Sequence, residues 1–445
     1  MLIRSSITFH TLLLSLLHLL VDGICACGMM MMTWQIVSDV EAGALIVIYD
    51  VLAFATQPLT GRWLDTSGAS PNRLKLAIAL LVGGASISLL TLSANLLTAM
   101  TATIMFGMGN SLFHVYGGKI VAVASHYDIR MMGVFVSTGA VGLAIGIGFF
   151  CPMLMTAFLL ALIALSALHL HYAGIVREGK SISFYTENVV KPTARSLPIV
   201  PLLYLSCLML VVSGRSFIGE SVPSLRTVFH SMGTPMTMVV VSIIVMAGKA
   251  AGGFLSKMWG VRNVFYVSML LSATTFLMCP WHDVFVLTTL LLINISMPCT
   301  LYLATKAVPG REGWTFGLLA MALLPGFMLG HLAKDNATCQ MLLEPLMATI
   351  LLESLLLLCM REHRWQVLAA SVMLNIFTNV PLNAFIMFFK VTSPFYLVGL
   401  ECVVVVVEFI GYWLVLYDRC RAFKYSFLCN SFSALTGCLY QYLFL

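Results

Sequence analysis

The sequence is poor in charge. Only 9% of its 445 residues are Asp, Glu, Lys or Arg, while 60% are hydrophobic, and a chain of that composition cannot keep a water-soluble surface. It carries no glycine-rich phosphate loop, no nucleophile elbow and no basic stretch long enough to hold nucleic acid, which leaves nucleotide-driven, hydrolytic and nucleic-acid-binding functions without a motif. A disulfide framework is missing too. Most of the 12 cysteines, among them Cys151, Cys207, Cys279, Cys299, Cys359, Cys402 and Cys429, lie inside apolar runs as small hydrophobes, and Cys25 and Cys27 read as packing residues. His169 and His171 have no carboxylate or cysteine cluster near them in sequence, so no metal site and no cofactor are expected.

What is there is a succession of apolar runs. About fifteen of them are roughly 18 to 25 residues long, enough to cross a hydrocarbon core of about 30 Å as a helix. The first follows MLIRSS and lacks a small-residue cleavage site, so it reads as a retained span. Basic residues fall on alternate loops. With the N-terminus cytoplasmic, Arg4, the segment Arg62 to Lys75, Arg130, Arg177, Lys180, Lys191, Arg195, Lys257, Arg262, Lys306, Arg311, Arg361, Arg364 and the run Arg419 to Lys424 are inside. Only Arg226, Lys334 and Lys390 are outside, a positive-inside pattern that puts the C-terminus outside. The expected fold class is an all-α polytopic membrane protein in the lipid bilayer, of the bacterial cytoplasmic (inner) membrane.

The longest polar break, Val176 to Leu197, divides the chain into six spans and six. The expected organisation is an N-terminal six-helix half over 1–175, a cytoplasmic linker over 176–197, a C-terminal half over 198–360, and an appended three-helix segment over 361–445. The halves look related. GRWLDTSGASPNR from Gly61 follows the second span and GGFLSKMWGVRN from Gly252 follows the eighth. Aligning Gly61 with Gly253 pairs Gly68 with Gly260, Asp65 with Lys257, and Arg73 closely with Arg262. Such duplicated halves are the sequence sign of repeat-built secondary transporters.

Gly61, Asp65 and Gly68, with the degenerate copy at Gly253 and Gly260, resemble the loop motif of the major facilitator superfamily. HLLVDGICA, DVLAFATQPLTG, GNSLFH and GKAAGGFL further resemble its fosmidomycin-resistance-type exporter branch. The resemblance covers roughly residues 1 to 360 and departs in three places: Asp65-Thr66 stands where the family has Asp-Arg, Lys257 stands in a carboxylate position, and about three helices are appended. It implies a central cavity lined by the first, fourth and seventh helices, and a cytoplasmic gate at Gly61, Asp65, Gly68 and Arg73.

Charges inside a membrane are costly and usually face a cavity or a partner. His18 and Asp22 are four apart on the first span, as are Asn110 and His114 on the fourth; each pair shares a helix face. Asp22, His18 and Asp50 are the candidates for proton coupling, because burial and neighbouring charges bring such groups toward neutrality. Asn110, His114 and Arg215 are the candidates for substrate contact, Arg215 being permanently charged and suited to an anionic group. Lys119 and Lys249, nearer the inner ends, are expected to snorkel to the surface. The alternative for each residue is interhelical hydrogen bonding without transport. Gly139, Gly142 and Gly146 in the fifth span read as close helix packing.

The sequence thus predicts a non-enzymatic secondary transporter of a small polar or anionic solute, proton-coupled and with export favoured. Its partners are that small-molecule substrate and protons, with 361–445 as the candidate surface for a protein partner. A membrane sensor or assembly scaffold built on a transporter fold is the rival, and a lipid-directed membrane enzyme a more distant one.

Overall fold

A computed structural model of the protein describes residues 2–36, 38–90, 95–178, 199–221, 234–279 and 282–334, with 404–406 and 409 beyond them. The polar positions Glu344, Glu353, Asn375, Glu401 and Asn430, in and after the twelfth apolar run, lie outside the described residues, as does most of the expected appended segment. Every regular element among the described residues is helical. That is what an apolar surround demands, since a helix satisfies its backbone polar groups within one segment. Nine of these helices are long and apolar enough to cross a membrane, and the protein is an integral multi-pass membrane protein.

The first span is α1 (Leu2–Trp34). The second is compound: α2 (Asp39–Asp50), a π-helical stretch over Val51–Ala55, and α3 (Gln57–Ser67). Then come α4 (Pro71–Leu90), α5 (Leu96–Ala124), a broken fifth span of α6 (Ile129–Ser137) and α7 (Gly139–Gly148), and α8 (Pro152–Glu178). Beyond them are α9 (Ile199–Ser221), α10 (Thr234–Trp259), α11 (Val261–Leu277), α12 (Asp283–Ala307), α13 (Glu312–Met321) and α14 (Leu323–Lys334).

Local sequence sets the ends of these helices. Asn95 and Thr98 form a reciprocal capping box at the start of α5, the Ser38 hydroxyl accepts from the Glu41 amide at the start of α2, and Pro71 and Pro152 open α4 and α8. The two aligned loop motifs turn in the same way. Gly68 has φ 81° and ψ 147°, and Gly260 has φ 87° and ψ 141°, a region a side chain would strain. The sequence pairing of these two glycines is therefore matched by backbone geometry.

The chain forms two compact units. Residues 1–196 with 222–325 make the first, and 197–221 with 326–445 the second. In the first, α7 lies on α1 with almost no space between backbones: a Cβ at Gly142 would strike the Leu19 carbonyl, and one at Gly146 the carbonyl of Gly23. In the second, Gly326 and Gly330 similarly face the backbone of α9 at Ser213 and Phe217. Small residues replace the hydrophobic effect as the means of association in lipid, because they maximise van der Waals contact.

Gly142→Val is expected to separate α1 from α7 at a cost of at least about 1–3 kcal/mol. Gly43 has open space around its Cβ position, so Gly43→Ala should hold or slightly raise stability. Thermal unfolding of the two purified variants checks the contrast; a Gly142→Val melting temperature equal to wild type would refute the packing account.

Candidate functional site

The helical spacing of four puts His18 beside Asp22 on α1, and the close approach of α5 brings His114 and Asn110 against them. His18 Nε2 lies 3.3 Å from Asp22 Oδ2, His114 Nε2 lies 3.3 Å from Asp22 Oδ1, and the two Nε2 atoms are 2.8 Å apart. The Asn110 amide donates to Asp22 Oδ1 at 3.1 Å. The cluster is not sealed: 18% of the Asp22 side chain and 12% of His114 remain exposed, against 7% of His18. Two of its members thus keep some accessible surface.

The far side of each imidazole is tied to backbone. His18 Nδ1 is 2.8 Å from the Phe135 carbonyl oxygen, and His114 Nδ1 is 2.9 Å from the Asn110 carbonyl oxygen. A carbonyl only accepts, so the hydrogen-bond partners assign a proton to both Nδ1 atoms. Two neutral rings would then point lone pairs at each other across 2.8 Å. One shared cation between the Nε2 atoms removes that repulsion, and a proton there makes one ring imidazolium, balanced by the Asp22 carboxylate.

Gly139 opens α7 directly over this group, where a Cβ would collide with Asp22 Oδ2 and His18 Nε2. The helix-packing role of the glycine stripe is seen at Gly142 and Gly146, whereas Gly139 leaves room at the cluster. Asn110 also reaches Cys25 Sγ at 3.8 Å, and Tyr49 lies against Cys25. Tyr49 is an addition that the sequence reading missed; a tyrosine one residue before Asp50 carries no signal separable from ordinary aromatic packing. Asp50 stands outside the cluster, half-buried at the junction of α2 with the π stretch, a helix irregularity often met at functional positions. Arg215 is buried on α9 in the second unit. Lys249 is half-buried on α10.

At the loop-motif end, Asp65 is buried and accepts from the Gly313 and Trp314 backbone amides at 2.9 and 2.8 Å. It thus caps the start of α13, where a carboxylate also meets the positive end of the helix dipole. Lys119 Nζ joins it at 2.7 Å and donates to the Leu64 carbonyl as well. The expectation that Lys119 would snorkel is corrected: a buried carboxylate within reach holds it inside. Gly61 makes the approach of α3 to α13 possible, because a Cβ there would overlap the Gly313 backbone. Arg73 does not touch Asp65; its guanidinium stacks on Trp63, 3.8 Å from the ring centre.

A second contact at this end was not foreseen. Tyr127 donates its hydroxyl to the buried Glu312 at 2.6 Å, Gly310 N–H donates to the same oxygen, and Lys306 lies 4.6 Å over the Tyr127 ring. His126 and Tyr127 are both left-handed, at φ 52° and 59°, strain that persists where surrounding contacts enforce it. Burial and the Glu312 carboxylate push the Tyr127 hydroxyl above its ordinary range. A carboxylate at the start of a span, directly after the basic residues Lys306 and Arg311, was the available signal.

The degenerate motif has its own partner. Gly253 on α10 meets the Ile129 carbonyl at the start of α6, and Asp128 caps α6 through the Arg130 amide at 3.0 Å. Hydrogen bonds from the Arg130 side chain hold the Asp128 carboxyl below the usual carboxylate range against partial burial, with a smaller attraction from Lys257. In the first motif the carboxylate belongs to the loop helix; in the second it belongs to the capped helix and the loop helix carries the lysine.

No protein-family model and no curated protein matches the sequence. Solved structures do match its fold. The E. coli fucose:proton symporter FucP aligns with a TM-score of 0.55 at 14% identity, over 80% of this chain and 100% of that chain. A structure of FucP titled as a major facilitator superfamily transporter in the outward conformation gives 0.52 at 12% identity, over 78% and 99%. A bacterial homologue of the iron transporter ferroportin gives 0.48 at 14% identity, over 79% and 97%. The chain is similar in fold to major facilitator superfamily transporters.

Proposed function

We propose that the protein is a secondary active transporter that moves a small polar or anionic solute by alternating access, coupled to protons. The observation that carries this reading is the partly accessible Asp22, His18, His114 and Asn110 cluster inside a bundle of apolar helices. Pure structural glue would favour complete burial, whereas a transport site must exchange its occupant. Asp22 and His18 carry the proton, with Asp50 accessory; Asn110 and His114 contact the solute. A fucose:proton symporter on the same fold supports proton coupling by analogy only.

Asp65, Gly61, Gly68 and Arg73 form the cytoplasmic gate, with Lys119, Tyr127 and Glu312 as further members. Its contacts are hydrogen bonds and one ion pair between separate helices, and one hydrogen bond from the α5–α6 loop, which can break and re-form without unfolding any helix. Such a closed inner end belongs to an outward-facing state. The exporter-like segments such as HLLVDGICA favour efflux across a bacterial inner membrane, with the N-terminus inside.

Reconstituted protein with an interior pH dye should show solute-dependent proton flux on screening polar and anionic solute pools, and Asp22→Asn should abolish it. Absence of flux from correctly folded wild-type protein, or unaltered flux in Asp22→Asn, would overturn the assignment. For the gate, Asp65→Asn removes charge-assisted bonds worth about 1.5–3 kcal/mol each. Opening at that end should rise on the order of 10- to 100-fold, so amide exchange in the segment 310–318 speeds up and turnover slows while solute binding persists. Unchanged exchange and turnover would remove Asp65 from the gate.

A further inference from the structure

We infer that His18, His114 and Asp22 form a binding site for one divalent transition-metal ion, which takes the place of the cation shared between the two imidazoles. The site goes beyond the transport reading and does not depend on it. Donor atoms around an ion at about 2.0–2.1 Å are about 2.8–3.0 Å apart at right angles and about 3.3–3.4 Å apart at tetrahedral angles. The structure has 2.8 Å between the Nε2 atoms, 3.3 Å from His18 Nε2 to Asp22 Oδ2 and 3.3 Å from His114 Nε2 to Asp22 Oδ1, so each imidazole faces its own carboxylate oxygen. One donor atom from each of the three residues lies within 4.8 Å of the others.

The surroundings are those of a metal site as well. Both imidazoles donate Nδ1–H to a backbone carbonyl, which fixes the ring and turns the Nε2 lone pair toward the ion, the usual outer support of a histidine ligand. The buried Asn110 amide oxygen has no hydrogen-bond partner, while the nitrogen of the same amide touches Asp22. An amide turned over would therefore present an oxygen to the ion or to water bound on it. Gly139 keeps the approach to Asp22 and His18 free of a side chain. Three protein ligands leave positions open toward the exposed side of Asp22 and His114, where water or the oxygens of an anionic solute would complete the shell.

The donor set selects the metal. Two imidazoles with one carboxylate suit Zn2+, Fe2+, Co2+ or Ni2+, while Mg2+ and Ca2+ prefer oxygen.

The test uses full-length protein in detergent, stripped with a chelator and titrated with Co2+, whose visible absorption reports nitrogen ligation. Wild type should bind one Co2+ per chain, displaced by Zn2+ and not by excess Mg2+. His114→Ala and Asp22→Asn should weaken binding at least tenfold, while His10→Ala, which alters the separate His10–His169 ring pair, should bind as wild type does. No saturable Co2+ binding by wild type overturns the proposal whatever the variants do, as does binding that survives in a His18→Ala/His114→Ala double variant. Metal binding without solute-dependent flux would sustain this site and defeat the transport reading; flux without metal binding would do the reverse.

Discussion

A carboxylate placed among apolar helices must be neutralised and hydrogen-bonded locally, because no bulk water is there to do it. Asp22 and Asp65 both face that demand, and much of the first unit is arranged around their solutions. For Asp22 the answer is two imidazoles and an amide. Those groups converge where α5 meets α1, and the glycines at 139, 142 and 146 let α7 pack directly on α1 beside them. For Asp65 the answer is one ammonium and two helix-end amides, which ties α3 and α5 to the start of α13.

The two solutions differ in what they allow. Around Asp65 each partner bond crosses between helices and the group is almost fully buried, so the contact is strong when formed and wholly lost when the helices part. Around Asp22 each imidazole is fixed to a backbone carbonyl, His114 to that of Asn110 on its own helix and His18 to that of Phe135 on α6, and surface remains exposed. That arrangement can change its occupant while the helices stay where they are. A gate and a binding site in the proposed cycle need these two properties respectively.

The duplicated loop motif adds a second lesson. Lys257, read alone, looks like decay of a carboxylate position. Asp128 at the start of α6 places a carboxylate at this end as well, held by Arg130 and attracted more weakly by Lys257. Glycines keep the same task in both: Gly61 admits the backbone of α13 and Gly253 that of α6.

Length, apolar runs and the alternation of basic loops determined the membrane class and the helical fold by themselves, since the cost of burying backbone and charge in lipid leaves few alternatives. The helix-face pairs His18 with Asp22 and Asn110 with His114 were equally legible, because spacing of four is a local property. Tertiary structure alone decided that the two pairs meet, that Lys119 turns inward to Asp65, and that Tyr127 reaches Glu312, 185 positions away in the chain. Those contacts depend on which helices touch and at what height. Interhelical packing sets both, and its determinants, a few glycines and the irregular joints at Val51–Ala55 and Thr138, carry no label in sequence naming the helix they will meet.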